Sequence, residues 1–355
     1  MNSFGRLFRI NIFGESHGEA VGIVIDGCPA GLPLVVEDFL PDLERRKGGM
    51  QKGTTPRKED DLPIFKSGLF QDKTTGAPLT ILFGNNNTRS GDYEKQRAIP
   101  RPGHADLVAH QKFGGHEDFR GGGHFSGRLT VALVAAGVIA KKLLALADTG
   151  SVMMGGTVEM AGGAMAEGRG IVVGARILEI GGEKDLDKGL QKAIDGKDSI
   201  GGIIECRTTG LPAGLGEPFF DSAESLLSHA VFAIPAIRGI EFGTGFAAAK
   251  MFGSQHNDAI EDINGRTRTN HAGGVVGGIT NGNELVFRIA VKPTSSTPRE
   301  QLTLNRETGE QEPFSVKGRH DLCIALRVPV VLEAVTAFVL ADLLLLEQRI
   351  KRVIP

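Results

Sequence analysis

Histidine and arginine recur in short glycine-containing sequence motifs, here called words, along the whole chain. "GESHG" holds His17, "RPGHAD" holds Arg101 and His104, and "GHFSGR" ends at Arg128. Histidine gives or takes a proton near neutral pH, and arginine binds carboxylate or phosphate through two parallel hydrogen bonds. Together these residue types favour proton-assisted chemistry on a substrate that carries several negative charges.

The third word also lies where an anion site is expected. Its glycine run meets the apolar segment that begins at Leu129, and this segment predicts a long helix. Backbone N–H groups at a helix N-terminus attract anions. The pattern therefore predicts a phosphate or carboxylate site around Ser126 and Arg128.

Each word taken alone also has a structural explanation. His17 is consistent with a turn histidine bonded to nearby backbone, and His104 follows a Pro-Gly pair, as at the start of a helix. Arg128 and Arg319 are equally consistent with surface arginines. The basic stretch at 45–57 is typical of a solvated loop. The residues by themselves leave the catalytic and the structural interpretation of His17 open.

The motifs that identify common cofactors and metals do not occur in the sequence. There is no G-x-x-x-x-G-K-[ST] phosphate loop, no G-x-G-x-x-G on a strand-to-helix turn and no H-E-x-x-H helix. The cysteines Cys28, Cys206 and Cys323 form no C-x-x-C pair, so we expect neither a bound metal nor a disulfide framework. Free cysteines fit a reducing, cytoplasmic location.

The charge balance and the hydropathy argue against two further classes. The 355 residues include 40 basic and 42 acidic residues and carry a formal charge of -2, without the basic excess of a nucleic-acid-binding protein. The longest apolar stretch, at 129–140, is too short to span a bilayer, and the first residues do not resemble a signal peptide. We therefore expect no nucleic-acid partner and no membrane segment.

The apolar periodicity predicts strands and helices in irregular alternation. Strands are predicted at 6–13, 20–26, 79–83, 152–160, 170–179, 202–207 and 284–291, and helices at 36–46, 105–113, 127–147, 185–194, 221–231 and 330–352. This order does not support a doubly wound parallel sheet and favours a mixed α+β fold. No repeat and no linker divides the chain, so a single domain over 1–355 is predicted, with a flexible basic loop at about 45–60.

Taken in order, the words resemble those of the chorismate synthases over essentially the full length of the chain. "GESHGEAVGIVIDGCP", "GHFSGRLTVALVAAGVI" and "RHDLCIALRVPVVLEAV" are similar to the three signatures of that family. "RRKGG", "TTPRKE", "RPGHADL", "GSQHND", "NHAGG" and "KPTSS" fall between them in the family's order. The resemblance implies an α+β sandwich, with helices packed between antiparallel sheets, in a homotetramer.

The resemblance implies a lyase that makes chorismate. The substrate would be 5-enolpyruvylshikimate 3-phosphate, which loses phosphate by 1,4-anti elimination with reduced FMN as an obligatory cofactor and without net oxidation. Two other hypotheses stand beside it. One is a bifunctional enzyme that also reduces FMN with NADPH, with Arg46 and Lys52 as the NADP-binding residues, and the other is a non-catalytic anion-binding module. Three titratable groups, His17, His104 and Asp321, favour an enzyme over the binding module.

By motif position, the resemblance assigns a role to each word. His17 is expected to protonate the departing phosphate, His104 to act beside the flavin, and Asp321 to assist proton transfer near flavin N5. The expected substrate-binding residues are Ser16, Arg46, Arg101, Ser126, Gly127, Arg128 and Arg319. The expected FMN-binding residues are His124, Phe125, Ser126, Pro235, Ala236, Gly277, Lys292, Pro293, Thr294, Ser295, Ser296 and Arg319.

The sequence departs from the family pattern in four places. His124 and Phe125 replace an Arg-Ser pair, Pro235 replaces a common asparagine, and Lys52 and Leu322 replace a frequent arginine and proline. Pro235 removes an amide side chain and a backbone donor, and Lys52 is a weaker bidentate phosphate ligand than arginine. None of the four is an expected catalytic residue, so they bear on flavin affinity more than on the reaction.

Overall fold

A five-stranded and a four-stranded antiparallel sheet enclose two long apolar helices. The structure is a computed structural model that describes residues 1–49, 52–55, 59–87, 97–147, 156–159, 165–168, 170–316 and 320–354. Its strands are β1 (Ser3–Phe4), β2 (Arg9–Gly14), β3 (Ala20–Asp26), β4 (Ile64–Ser67), β5 (Leu69–Phe70), β6 (Lys73–Thr74), β7 (Leu79–Gly84), β8 (Gly156–Glu159), β9 (Met165–Gly168), β10 (Val172–Ile180), β11 (Gly202–Thr209), β12 (Ile237–Phe242), β13 (Val275–Val276), β14 (Ile279–Thr280), β15 (Leu285–Val291), β16 (Gln301–Leu304) and β17 (Gln311–Phe314). Its helices are α1 (Leu40–Arg46), α2 (Asp106–Phe113), α3 (Thr130–Leu144), α4 (Leu186–Gly196), α5 (Ala223–Val231), α6 (Gly253–His256) and α7 (Val328–Leu346).

Apolar patterning predicted six of the nine strands in the two large sheets and missed β1, β4 and β12. The first has the order β1-β2-β3-β7-β4 and the second β10-β11-β15-β12. In β3, Val21, Ile23 and Ile25 are fully buried because alternate side chains of a strand point to the same face. The predicted strands of both sheets are confirmed, with ends that move by up to three residues. The strand predicted at 152–160 lies partly outside the described residues, and β8 covers its end.

The helices α3 and α7 pack against each other between the sheets, α3 toward the first and α7 toward the second. α7 is apolar on every side because protein surrounds it on every side. Gly137 allows the close crossing, since a Cβ at this position would overlap Ala334. The segment Ile324–Leu346 is long and apolar enough to cross a membrane, but its apolar window is entirely buried, as in a core helix. Because α3 and α7 pack between two antiparallel sheets, the predicted α+β sandwich is confirmed.

The last helix ends earlier than the apolar pattern predicted. α7 stops at Leu346, whereas the prediction extended it to residue 352. Gln348 adopts a left-handed conformation with φ 56°, which breaks the helix. The chain then runs beside Ala30, which donates its N–H to the carbonyl of Arg352 and accepts from Ile354. Long-range backbone pairing thus ends a helix that local amphipathicity would continue.

The predicted basic loop also begins later than expected. Arg45 and Arg46 form the last turn of α1, and Pro41 sits in its first turn, where a missing N–H costs nothing. Arg46 is only 3% exposed. Within 45–60, residues 50–51 and 56–58 lie outside the described residues. The solvated-loop interpretation is wrong for these two arginines because each has a buried carboxylate as partner.

Arg45 belongs to a buried ion-pair group, here called the interior cluster, with Asp42, Lys141 and Glu333. Glu333 is fully buried and accepts from both terminal nitrogens of Arg45 at 2.7 Å and from Lys141 Nζ at 2.9 Å. Asp42 accepts from Lys141 at 2.7 Å and from Arg45 at 3.1 Å. Burial raises the pKa of Asp42, but Lys141 and Arg45 outweigh it and lower the pKa overall. The charges of the two cations and two carboxylates cancel. Because the four residues come from α1, α3 and α7, their hydrogen bonds tie these three helices together.

Candidate active site

A cavity of about 850 Å³ collects most of the predicted site residues from distant parts of the chain. Its wall includes the end of α1, the turns that lead into α3, the end of α5, and the segments on either side of residue 294 and before α7. The predicted residues on this wall are Arg46, Arg101, His104, His124, Phe125, Ser126, Gly127, Arg128, Pro235, Ala236, Lys292, Thr294, Ser295, Ser296 and Asp321.

Several predicted residues do not reach the cavity wall. Gly277 lies in the turn between β13 and β14, with φ 64° and no atom near the position of a Cβ. Lys52 is on the surface and donates to Gln191 Oε1 at 3.1 Å, whereas Arg46 is buried. The two residues therefore do not form a joint binding site. Pro293 points away between two wall residues, and Arg319 lies outside the described residues. Tertiary packing therefore separates positions that the family pattern groups together.

His17 and Ser16 lie behind the wall. Gly121 stands between them and the cavity, and a Cβ at Gly121 would overlap the His17 ring and lie 3.0 Å from Ser16 Oγ. Gly121 and the next two glycines have positive φ values of 60°, 81° and 52°, a run that favours glycine. In this conformation the Gly121 backbone covers His17 and Ser16, and their role at the substrate stays a prediction.

Arg46 and Arg128 share the carboxylate of Asp61 in the cavity wall. Arg46 Nη2 donates to Asp61 Oδ2 at 2.7 Å, and Arg128 Nη1 donates to Asp61 Oδ1. The side chain of Asp61 is fully buried and those of both arginines are 4% exposed. Burial raises the pKa of Asp61, but the two guanidinium groups outweigh it and hold the pKa at about 2. This trio is here called the cavity cluster, and it carries more positive than negative charge.

Asp321 is tied to the same wall through Arg327. Arg327 Nη1 donates to Asp321 Oδ2 at 3.0 Å, and Arg327 Nε donates to the backbone carbonyl of Arg46 at 2.9 Å. The other carboxylate oxygen of Asp321 accepts from the backbone N–H of Thr55 at 2.9 Å. Both oxygens are thus held within the chain, which fixes the orientation of the carboxylate.

His104 is oriented by Asp106, which also binds Arg101. Asp106 accepts from Arg101 Nε and Nη2, each at 2.8 Å, and its Oδ1 lies 2.6 Å from His104 Nδ1. Arg101 Nη2 also lies 3.0 Å from His104 Nδ1, so Asp106 and Arg101 together orient the ring at this nitrogen. Burial raises the pKa of Asp106, but Arg101 and His104 outweigh it and hold the pKa well below the usual range. Arg101 Nη1 also donates to Ser296 Oγ at 3.0 Å.

Asn85 and His124 hold the loop that carries His17. Asn85 Nδ2 donates to the carbonyls of Glu15 and Gly18, each at 2.9 Å, and Asn85 Oδ1 accepts from Arg128 Nε at 2.9 Å. His124 Nδ1 donates to the carbonyl of Gly14 at 2.8 Å, since a carbonyl only accepts. The His17 loop is therefore fastened to the cavity cluster on one side and to the glycine segment on the other.

Sequence reasoning named Asp106 within "RPGHAD" but gave it no role, and it missed three other side chains of this network: Asp61, Asn85 and Arg327. Asp106 stands inside "RPGHAD" and Arg327 inside the third family-like word, so both could have been proposed with their neighbours. Nothing local separates Asp61 from the adjacent Asp60, or Asn85 from the two asparagines after it. In the part of the chain that the structure describes, no group of three or more His, Cys, Asp or Glu side chains could hold a metal ion.

The fold and the cavity together define an α+β enzyme with a cationic site for a polyanionic small molecule. The family model for chorismate synthase matches residues 8–345. A chorismate synthase of Chitinophaga pinensis is 68% identical over 353 residues, 99% of each chain, and one of Methanocaldococcus jannaschii is 42% identical over 97% of this chain and 96% of its own. A crystal structure of a chorismate synthase matches with a TM-score of 0.70 and 26% identity, covering 97% of this chain and 93% of that one.

The chain belongs to the chorismate synthase family. It is a lyase that eliminates phosphate from 5-enolpyruvylshikimate 3-phosphate to give chorismate, a step of the shikimate pathway toward the aromatic amino acids. The family uses reduced flavin. These comparisons do not support the bifunctional alternative with an NADPH-dependent reductase, and they exclude a binding module without catalysis.

Proposed function

We propose that the elimination takes place in the 850 Å³ cavity, with the phosphate and carboxylates of the substrate facing the cavity cluster. The observation that carries this proposal is the sharing of one buried carboxylate, Asp61, by Arg46 and Arg128. Two positive charges against one negative charge favour an anion, and fixed cations also stabilise charge that develops on a departing phosphate. Arg101, Ser126 and Gly127 line the same cavity and complete the proposed substrate site.

The cavity also fits reduced FMN, which supplies the electron-rich centre that this redox-neutral elimination requires. Phe4, Phe125, Ile234 and Phe338 give the wall an apolar part suited to a flat ring. Lys292 Nζ and Ser295 Oγ, both bonded to the carbonyl of Gly103, place polar groups on the wall near His104. We propose that the flavin is held by the predicted residues that lie on the wall: His124 to Ser126, Pro235-Ala236, Lys292 and Thr294 to Ser296.

Three residues are proposed to handle protons. His104 is proposed to act through Nε2, because Nδ1 faces Asp106 and Arg101. Asp321 accepts hydrogen bonds at both oxygens and is oriented as a base. His17 is proposed as the proton donor to phosphate, a role that requires the Gly121 segment to move aside, since this segment covers the ring.

The test is an anaerobic assay with photoreduced FMN and 5-enolpyruvylshikimate 3-phosphate. The protein should release phosphate and form chorismate, and absence of turnover would contradict the proposal. His17→Gln should slow turnover by about 10²–10⁴-fold while FMN binding stays unchanged. The matched control is His116→Gln, an exposed histidine away from the cavity wall. Equal loss of flavin binding and turnover in His17→Gln would make His17 structural.

We also propose that the chain assembles as a homotetramer. Large apolar side chains stand exposed on the second half of the chain, with Phe220 at 92%, Phe246 at 83%, Phe252 at 77% and Ile263 at 99%. Large apolar side chains that a single chain leaves in water are candidates for burial between subunits. The mass of the protein in solution, measured by light scattering, tests this: a monomer would contradict it.

A cytoplasmic location is proposed from the thiols. Cys28, Cys206 and Cys323 are all buried and unpaired with one another. Burial raises the pKa of Cys28 and of Cys206 to about 12, so both are unreactive thiols rather than parts of a disulfide framework. Localisation of a tagged chain outside the cytoplasm would overturn this assignment.

A further inference from the structure

Asp61 stands out among the carboxylates of the cavity wall because each of its oxygens binds a different arginine. Oδ2 accepts from Arg46 and Oδ1 from Arg128, and the side chain has no exposed surface. The adjacent Asp60 is exposed. A carboxylate placed between two guanidinium groups uses donors that an incoming phosphate or carboxylate would otherwise bind.

The backbone at Asp61 is held in an unusual conformation. Its φ of 51° lies in the left-handed region, which residues other than glycine, asparagine and aspartate rarely adopt. Such conformations persist where the surroundings over-determine them, and they collect at functional sites. The two arginine contacts are the interactions that hold the Asp61 side chain in the wall.

The charges around Asp61 do not cancel. In direct contact, two guanidinium groups face one carboxylate, and Arg46 Nε is a buried donor without a partner among the described residues. Glu59 also lines the cavity and interacts with Arg128, but it is half-buried and therefore better screened by water. Arg327, which adds positive charge near Arg46, is neutralised by Asp321. Within the trio of Asp61, Arg46 and Arg128 itself, one positive charge and one N–H donor are left for a ligand.

Asp61 also occupies the middle of a continuous hydrogen-bonded chain. On one side, Arg46 leads through its carbonyl to Arg327 and Asp321. On the other side, Arg128 leads through Asn85 to the loop of His17. Asp61 therefore fixes the spacing between the two halves of the site.

We propose that Asp61 is an internal counter-ion that sets the anion affinity of the cavity and positions Arg46 and Arg128. This proposal rests on the proposed function only because it takes Arg46 and Arg128 as substrate-binding residues. By competing for their donors, Asp61 weakens the binding of any phosphate, including the one released by the reaction. By separating two like charges, it keeps both guanidinium groups in place before substrate arrives. Asp61 is thus a positioning residue, not a catalytic one.

The test measures binding of inorganic phosphate to the full-length protein by calorimetry, together with kcat and KM. Asp61→Asn keeps the size of the side chain and tolerates the left-handed backbone, but removes the charge. Phosphate should bind about tenfold more tightly to this variant, while kcat falls about tenfold or more. The matched control Asp60→Asn makes the same charge change on an exposed neighbour and should leave both quantities within twofold of the unmodified chain.

A merely structural Asp61 would give the opposite signature. Weaker or unchanged phosphate binding by folded Asp61→Asn would overturn the proposal. Asp61→Glu, which keeps the charge, should stay within about twofold in phosphate affinity, so a tenfold increase in that variant would also overturn it. The double variant Asp61→Asn with Arg46→Gln restores the balance of charge and should return phosphate affinity toward the original value. If Arg46→Gln and Arg128→Gln alone leave phosphate affinity and KM unchanged, the substrate-binding assignment itself is wrong.

Discussion

Arg45 and Arg46 are neighbours in the last turn of α1, yet they serve two different ion-pair groups. Arg45 points into the interior cluster, where Asp42 and Glu333 balance the charges of Arg45 and Lys141. Arg46 points into the cavity cluster, where it shares Asp61 with Arg128. Successive helical residues face directions about 100° apart, so one turn can supply both groups.

The difference between the clusters lies in their charge balance. The interior cluster is neutral and closed, and Glu333 also accepts from the backbone N–H of Ala175 at 3.1 Å, so its hydrogen bonds are satisfied within the protein. The cavity cluster has a surplus of positive charge and a donor, Arg46 Nε, without a partner in the described part of the chain. A cluster whose charges and hydrogen bonds are balanced stabilises the fold, whereas a cluster with a surplus charge and an unused donor can bind a ligand.

The largest effect is expected from Arg128→Gln in the cavity cluster. The value of kcat/KM for 5-enolpyruvylshikimate 3-phosphate should fall about 10²–10³-fold, because a fixed cation beside the phosphate is lost. Stability in urea should also fall, because Asp61, Asn85 and the Gly84 carbonyl lose a buried donor, so turnover is compared per folded molecule. The matched control is Arg120→Gln, an arginine that is 42% exposed and paired with Asp118 on the segment before α3. A large loss of stability without loss of turnover would reverse the roles assigned to the clusters.

The next effect is expected from Glu333→Gln in the interior cluster. Arg45 and Lys141, which are 27% and 25% exposed, would lose their shared carboxylate and keep only Asp42, at a cost of about 3 kcal/mol in the free energy of unfolding. Urea denaturation followed by circular dichroism measures this loss. Glu347→Gln, on an exposed glutamate just beyond α7, should be neutral. Turnover per folded molecule should fall less than tenfold, and a fall as large as that of Arg128→Gln would show that the clusters are not separate.

A smaller effect is expected from acid. The folded-state pKa of Asp61 is about 2, below its ordinary value, so its contribution to stability is present above pH 4 and is lost as the pH falls toward 2. Across this window the contribution amounts to about 2 kcal/mol. Asp61→Asn should lack this part of the pH dependence in urea denaturation, whereas Asp60→Asn should follow the unmodified chain. An identical pH profile for all three proteins would contradict the ionised state assigned to Asp61.

The smallest effect is expected from Lys52→Ala. Lys52 belongs to neither cluster, and its partner Gln191 is reached on the surface, so the free energy of unfolding should change by less than about 0.5 kcal/mol. Turnover with photoreduced FMN should stay within twofold. A strong loss of NADPH-supported turnover in Lys52→Ala, with no such loss in Lys47→Ala, would restore the NADP-binding role that the resemblance assigned to Lys52.

Local patterns predicted the elements better than their ends. Apolar periodicity found β3, β7, α3 and α7, because each buries a face whose period is set by backbone geometry. The end of α7 was wrong because Gln348 and the pairing of Ile354 with Ala30 decide it, and that pairing spans most of the chain. The sequence predicted a solvated loop at Arg45 and Arg46 because their buried carboxylate partners, Glu333 and Asp61, are not their neighbours in the chain.

The sequence by itself determined the family and the reaction, and it named several residues of the cavity wall, because these are carried by ordered motifs that each need only local chemistry. Tertiary structure decided which charges meet. It placed Asp61 rather than Asp60 between two arginines, put His17 behind Gly121, and left Gly277 away from the cavity. The physical reason is that ion pairing and burial depend on distances between segments far apart in the chain, and residue type alone carries no such distance.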